Sequence, residues 1–240
     1  MKILEVKNLR KSFDHKSVHR DISFHLSRGE TIGLLGKSGT GKSVLLRSLI
    51  GLETIDAGEI IYQGQRIDDL TEEDLYPIRT KISYSFQNGA LFDSDSIFDN
   101  LAFPLREHSN LSEHEIEVLV KKTLSSFNLD GIEELKPMDL SGGMQKRVGL
   151  ARSIILKPDV ILYDEPTAGL DPLNVEMVIQ LMKELKRQNF SGIFVTHDIP
   201  AAKKICDRMI IIKDGEIGFN DTVEAFEKSN DPFVKNFLMS

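Results

Sequence analysis

The stretch Gly36-Lys37-Ser38-Gly39-Thr40-Gly41-Lys42-Ser43 satisfies G-x-x-x-x-G-K-[ST] at every fixed position. These residue types suit the capture of phosphate. The glycines let the backbone turn tightly and approach a ligand without a Cβ clash. The loop N–H groups converge on an anion at a helix N-terminus, where the dipole already favours negative charge. Lys42 then reaches the β- and γ-phosphates, and the Ser43 hydroxyl sits on Mg²⁺. The flanks agree: Thr31 to Leu35 is a short apolar run that reads as a buried strand, and Val44 to Ile50 reads as a helix with Gly51 just past its end. The plainer reading, a Gly-rich turn before an ordinary helix, does not explain four constrained positions with both flanks in place.

A second group of reactive residues lies downstream. Val160-Ile161-Leu162-Tyr163 is an apolar strand ending in Asp164 and Glu165. Asp164 is placed to hold Mg²⁺, directly or through water, and Glu165 to orient or deprotonate an attacking water. Ser191 to Thr196 is another buried strand, with His197 at its end. Ligands of open α/β sheets bind outside the carboxyl ends of the strands, so Gly36, Glu165 and His197 are expected on one rim. Leu140-Ser141-Gly142-Gly143-Met144 opens a helix, with Ser141 as N-cap. Two glycines in a first turn cost about 1 kcal/mol each relative to alanine, and bare N–H groups at a helix N-terminus suit an anion. Asp171 reads as the N-cap of a helix with Pro172 at its first position. Phe13, alone at a turn, reads as a small apolar anchor, with adenine stacking as the alternative. Gln87, at a strand end, reads as a polar loop residue.

The chain that must position these groups has 240 residues, enough for one large domain, and its 40% hydrophobic and 28% charged content suits a globular protein with a core. With 30 basic and 37 acidic residues the net charge is −7, which argues against a general nucleic-acid binder. A single cysteine, Cys206, excludes an internal disulfide. Met1 to Val6 alternates and is too short for a signal peptide, and no apolar run approaches the roughly 20 residues of a membrane helix, so work at a membrane is expected to go through a partner. Residues 1 to 30, 59 to 62 and 82 to 86 read as strands, and Thr71 to Tyr76 as an acidic helix. From about 88 to 157 the pattern turns helical, with candidates at Ser96 to Leu101, Ser112 to Phe127 and Met144 to Leu156. A helical block between strands suggests an inserted subdomain. Asp214-Gly215 reads as a hairpin turn, and about 221 to 240 as a short helical tail anchored by Phe226, Phe233 and Phe237.

These pieces in this order resemble an ABC-transporter ATPase subunit over nearly the whole chain. The specific element is Leu140-Ser141-Gly142-Gly143 ahead of Val160 to Glu165, followed by Ala168 to Asp171 and His197. The resemblance implies a single α/β ABC ATPase domain over 1–240: a P-loop NTPase (RecA-like) core, an N-terminal antiparallel β subdomain and an inserted α-helical subdomain. It implies ATP and Mg²⁺ as cofactors. Phe13 then stacks on adenine, and Gly36, Lys37, Ser38, Gly39, Thr40, Gly41, Lys42, Ser43 and Val44 bind ATP. Gln87 joins Ser43 and Asp164 at Mg²⁺, and Glu165, His197 and Gln87 are catalytic. Ser141, Gly142, Gly143 and Met144 close over ATP held by a second copy in a head-to-tail dimer, with Asp171 in the dimer loop. Met144 stands where glutamine is usual; the serine and glycines that touch phosphate are intact.

A finer resemblance lies in Ser85 to Phe92, Phe98 to His108, Gly142-Gly143-Met144, Thr196 to Pro200 and Asp231 to Leu238, which look like the Mla-type ATPases of MCE-protein phospholipid transporters. It implies lipid transport between inner and outer membrane. It also implies integral permease subunits, an MCE-domain partner, a peripheral site on the cytoplasmic face of the inner membrane, and no nucleic acid. A small regulatory subunit is left open. Two alternatives remain: the ATPase of an amino-acid or other small-solute importer, and a soluble ABC ATPase acting on ribosomes or DNA.

Overall fold

The computed structural model describes residues 1–14, 16–87 and 89–238. The chain begins with the long strands β1 (Lys2–Phe13) and β2 (Lys16–Ser27), and β3 (Thr31–Leu35) then leads into α1 (Lys42–Ser48). After β4 (Ala57–Tyr62) and β5 (Gln65–Arg66) come α2 (Glu72–Arg79) and β6 (Ile82–Ser85). Three helices follow with no strand between them: α3 (Ile97–His108), α4 (Glu113–Ser126) and α5 (Gly142–Ile154). The remaining order is β7 (Val160–Asp164), α6 (Pro172–Arg187), β8 (Ser191–Val195), α7 (Ile199–Ile205), β9 (Arg208–Lys213), β10 (Glu216–Thr222), α8 (Val223–Lys228) and α9 (Pro232–Leu238).

The strands form one sheet in the order β5-β4-β1-β2-β10-β9-β3-β8-β7-β6. From β9 to β6 every pairing is parallel, and from β5 to β2 every pairing is antiparallel. β10 pairs antiparallel with β9 along its length but meets β2 through the single pair Glu216↔Asp21. A parallel strand covered on both faces needs apolar residues at consecutive positions. β3, β7 and β8 meet that need by dividing their residues between two cores. Ile32, Leu34, Val160, Leu162, Ile193 and Val195 face a core shared with β1, β2 and α1. Leu35, Ile161, Tyr163 and Phe194 face a core continuous with α3 to α7. The phosphate loop, Asp164–Glu165 and Thr196–His197 therefore leave adjacent parallel strands at the same end.

Three boundaries differ from the sequence expectation. Helix α1 starts at Lys42, inside the loop motif, and ends at Ser48. Helix α5 ends at Ile154 rather than Leu156; its start at Gly142 is the one the Ser141 cap implies, with Ser141 Oγ accepting the Met144 N–H at 3.3 Å. Helix α3 runs on past Leu101 and through Pro104 to His108. Proline costs a helical hydrogen bond, but Ala102 and Leu105 are buried on either side of it and hold the helix on the core. No helix among the described residues is long and apolar enough to cross a membrane.

Helix α5 meets the loop after β6 by backbone contact. A Cβ on Gly149 would lie 2.6 Å from Gly89 Cα, and Arg152, one turn on, donates to the Gly89 and Ala90 carbonyls at 3.1 and 2.7 Å. Gly149→Ala is therefore expected to push α5 off this loop and lower stability by about 1–3 kcal/mol, as overpacked sites do. A thermal melt reads the shift, and an unchanged midpoint would show that the contact is loose.

Candidate functional site

The loop leaving β3 carries Gly39 and Gly41 at φ 78° and 88°, the left-handed region that glycine tolerates. Gly41 is also the N-cap of α1. Lys42 is buried, and its Nζ donates to the Gly36 and Lys37 carbonyls at 2.9 and 3.1 Å. Burial lowers its pKa, while the nearby Glu165 and Asp164 carboxylates pull the other way. The loop thus holds a desolvated ammonium beside two acids.

Asp164 ends β7 with both oxygens engaged. Ser43 Oγ donates to Oδ1 at 3.0 Å, and the Tyr84 hydroxyl donates to Oδ2 at 2.6 Å. Glu165 has φ 49°, an uncommon backbone for a non-glycine residue and one that clusters at functional sites. Its N–H donates to the Val195 carbonyl at 3.0 Å, and its Oε1 lies 2.9 Å from His197 Nε2. A cavity of about 320 Å³ connects these groups. Phe13 and Val18 line it together with Gly39, Gly41, Lys42 and Ser43 of the loop and with Glu165 and His197. Phe13 is 41% exposed, and Lys11 Nζ sits over its ring 4.6 Å from the centroid.

These donors fit a nucleotide with a divalent cation. The loop offers N–H groups and an ammonium to phosphate. Ser43 and Asp164 offer adjacent oxygens, and Mg²⁺ takes few protein ligands because it keeps waters and substrate phosphate oxygens. No group of three or more His, Cys, Asp or Glu side chains among the described residues could hold a metal by itself.

Gln87 is exposed after β6 and does not line the cavity; the neighbouring Asn88 lies outside the described residues. Ser141, Gly142, Gly143, Met144 and Asp171 do not line it either. They form a second cluster. A Cβ on Gly143 would stand 2.5 Å from Asn174 Oδ1, while Gly142 faces open space. Asn174 Nδ2 donates to Asp171 Oδ2 at 2.5 Å, and Asp171 Oδ1 accepts the Leu173 and Asn174 N–H groups at 3.0 and 3.1 Å as the cap of α6. Lys146 Nζ donates to the Ala168 carbonyl. One chain therefore joins its signature helix to its Asp171 loop, and keeps both out of its own cavity.

Three residues escaped the sequence reading. Tyr84 and Asn174 sit on a strand and a helix that the reading did place, and they matter through partners it could not see. His19, on β2, is fully buried, and both its ring nitrogens lack a hydrogen-bond partner among the described residues. A Cβ on Gly41 would lie 2.6 Å from His19 Nε2, so this imidazole underlies the phosphate loop.

A family model described as ABC transporter matches residues 19–168. The "Probable ribonucleotide transport ATP-binding protein mkl" of Mycobacterium leprae is 41% identical over 98% of this chain and 68% of that protein. Its Mycobacterium tuberculosis counterpart is also 41% identical, and the chain spans 66% of it, about two thirds of the mycobacterial length. The "Intermembrane phospholipid transport system ATP-binding protein MlaF" of Haemophilus influenzae is 38% identical over 98% of this chain and 90% of that protein. Among solved structures, the ATP-binding cassette MJ0796, described as a dimeric post-hydrolysis state bound to ADP and Pi, matches with a TM-score of 0.86 at 30% identity. That match covers 92% of this chain and 99% of that one.

Burial holds the His19 pKa down to about 4, against 6.5 for a free imidazole, with the Gly41 backbone opposing slightly. Between those values the unfolded chain takes up a proton that the folded chain refuses, so stability falls as pH drops from 6.5 to 4. The expected loss is about 3 kcal/mol. Urea melts across this window should show it in the wild type and not in His19→Leu; parallel curves would refute it.

Proposed function

The chain belongs to the ABC transporter family, and on that premise we propose that it is the ATP-hydrolysing subunit of a phospholipid transporter working between inner and outer membrane. The observation that carries the catalytic part is the single rim where Lys42, the Ser43–Asp164 contact and the Glu165–His197 contact converge. The lipid part rests on the MlaF relatives, which the chain matches nearly end to end.

In this reading Phe13 stacks on adenine, residues Gly36 to Val44 wrap the phosphates, and Lys42 gives up the Gly36 and Lys37 carbonyls to meet phosphate oxygens. Ser43 and Asp164 hold Mg²⁺, with Gln87 as the third oxygen donor; when bound, Mg²⁺ neutralises charge that develops on the phosphates. Glu165 takes a proton from the attacking water, and His197 Nε2 fixes the carboxylate that does so. Ser141, Gly142, Gly143 and Met144 complete the cavity of a second copy, with Asp171 alongside. Because each chain carries one cavity and one signature, the working unit is a two-fold, head-to-tail dimer.

The helical span of about 88–157 acts as a subdomain that meets the membrane subunits. A groove of about 260 Å³ bounded by α2, β6, α3 and α5 supports this, with Phe92 and Phe103 on its wall at 42% and 48% exposure. The chain is then peripheral at the cytoplasmic face, alongside a permease and an MCE-domain lipid-binding protein. The mycobacterial relatives, at higher identity, favour a second reading: a small-solute transporter such as one for ribonucleotides.

Lys42→Ala is expected to abolish nucleotide binding or turnover. Glu165→Gln is expected to bind ATP, hydrolyse it about 10²–10⁴-fold more slowly and accumulate as a dimer, read by phosphate release and light scattering. Wild-type turnover in both variants would sink the catalytic reading. Gentle purification of the tagged chain from membranes, followed by mass spectrometry, separates the transport readings. A permease with an MCE protein supports lipid transport, a solute-binding protein supports the second reading, and ribosomal or DNA-repair partners would remove transport altogether.

A further inference from the structure

Tyr84 touches both the carboxylate beside the phosphate loop and the groove proposed for the membrane subunit. Its hydroxyl donates to Asp164 Oδ2 at 2.6 Å. Tyr84 lines the groove with Phe92, Phe103, His108 and Arg152, and its ring packs at a tilt of 40° against that of Phe86, itself 41% exposed, with centroids 4.4 Å apart.

The geometry divides the labour of the Asp164 carboxylate. Oδ1 faces Ser43, the other oxygen donor of the candidate metal site, and Oδ2 is taken by Tyr84. Groups that hydrogen-bond the far side of a metal ligand fix its rotamer, and their loss commonly costs 10–100-fold in metal affinity. We infer that Tyr84 is a positioning residue of the Mg²⁺ site. Its hydroxyl holds Asp164 so that Oδ1 is the oxygen presented to the cation, and its ring makes that hold sensitive to what fills the α2–α3 groove. This rests on the ATPase reading above and deepens it by naming where a bound partner reaches the metal site. Gln87, two residues beyond β6, is exposed, whereas the tyrosine inside the strand donates directly to Asp164.

The test is calorimetric titration of ADP into the full chain, in EDTA and at graded MgCl₂, for wild type and Tyr84→Phe. Metal-free ADP affinity should agree within about twofold, while the MgCl₂ concentration giving half of the affinity gain should rise about 10-fold or more in the variant. An equal midpoint, or an equal loss with and without metal, would reduce Tyr84 to packing. Wild-type protein whose ADP binding ignores MgCl₂ would overturn the metal reading itself along with this inference. If the variant does not fold, wild-type protein labelled with 3-fluorotyrosine decides the matter. The chain has four tyrosines, and Tyr→Phe changes at the other three assign the Tyr84 resonance. That resonance should move when MgCl₂ is added to the ADP complex and stay put when ADP is added alone; a static signal on MgCl₂ addition would refute the link.

Discussion

A buried positive charge at the end of a buried strand is the constraint on which this molecule turns. The Lys42 ammonium cannot be left bare in a poorly solvated site, and in this structure two loop carbonyls and two nearby carboxylates offset its desolvation. That requires the loop to curl back on itself through left-handed glycines. It also requires Asp164 and Glu165 to emerge one strand beyond β8, and the strands beneath to be covered on both faces so that the rim stays fixed. The parallel half of the sheet, the two cores and the helical span on one face all serve that placement.

Legibility in the sequence followed the range of each interaction. The phosphate loop, the Asp164–Glu165 pair, the Ser141 and Asp171 caps and the buried strands are written within a few residues, because glycine conformation, capping and strand burial are local rules. The family assignment came from the order of those local pieces. Tyr84 was placed on its strand, but its role depends on a carboxylate 80 residues away. Asn174 matters because it occupies the space that Gly143 leaves open, and His19 because β2 passes under Gly41. Helix α3 was read too short since Pro104 is a local stop signal that packing overrides. Local rules offer both an anchor and a stacking platform for Phe13, and its exposure beside the phosphate loop depends on how β1 and β2 meet the parallel strands.

In the proposed dimer, the separation of the two polar clusters leaves the cavity of one chain to be completed by the signature of the other. The cavity has the phosphate loop and the acid–imidazole contact, but its own signature helix is tied to Asn174 and the Asp171 loop instead. That contact sets the signature beside the segment that follows Glu165 in the sequence, so in the proposed dimer a second copy that brings Ser141 to this cavity brings that segment with it.

The sheet also has a seam. Its antiparallel part carries Phe13 and its parallel part carries the phosphate loop, and between them β10 and β2 share one ladder pair, Glu216↔Asp21. Any ligand held by a ring contact at one end and by phosphate contacts at the other spans that seam like a rivet.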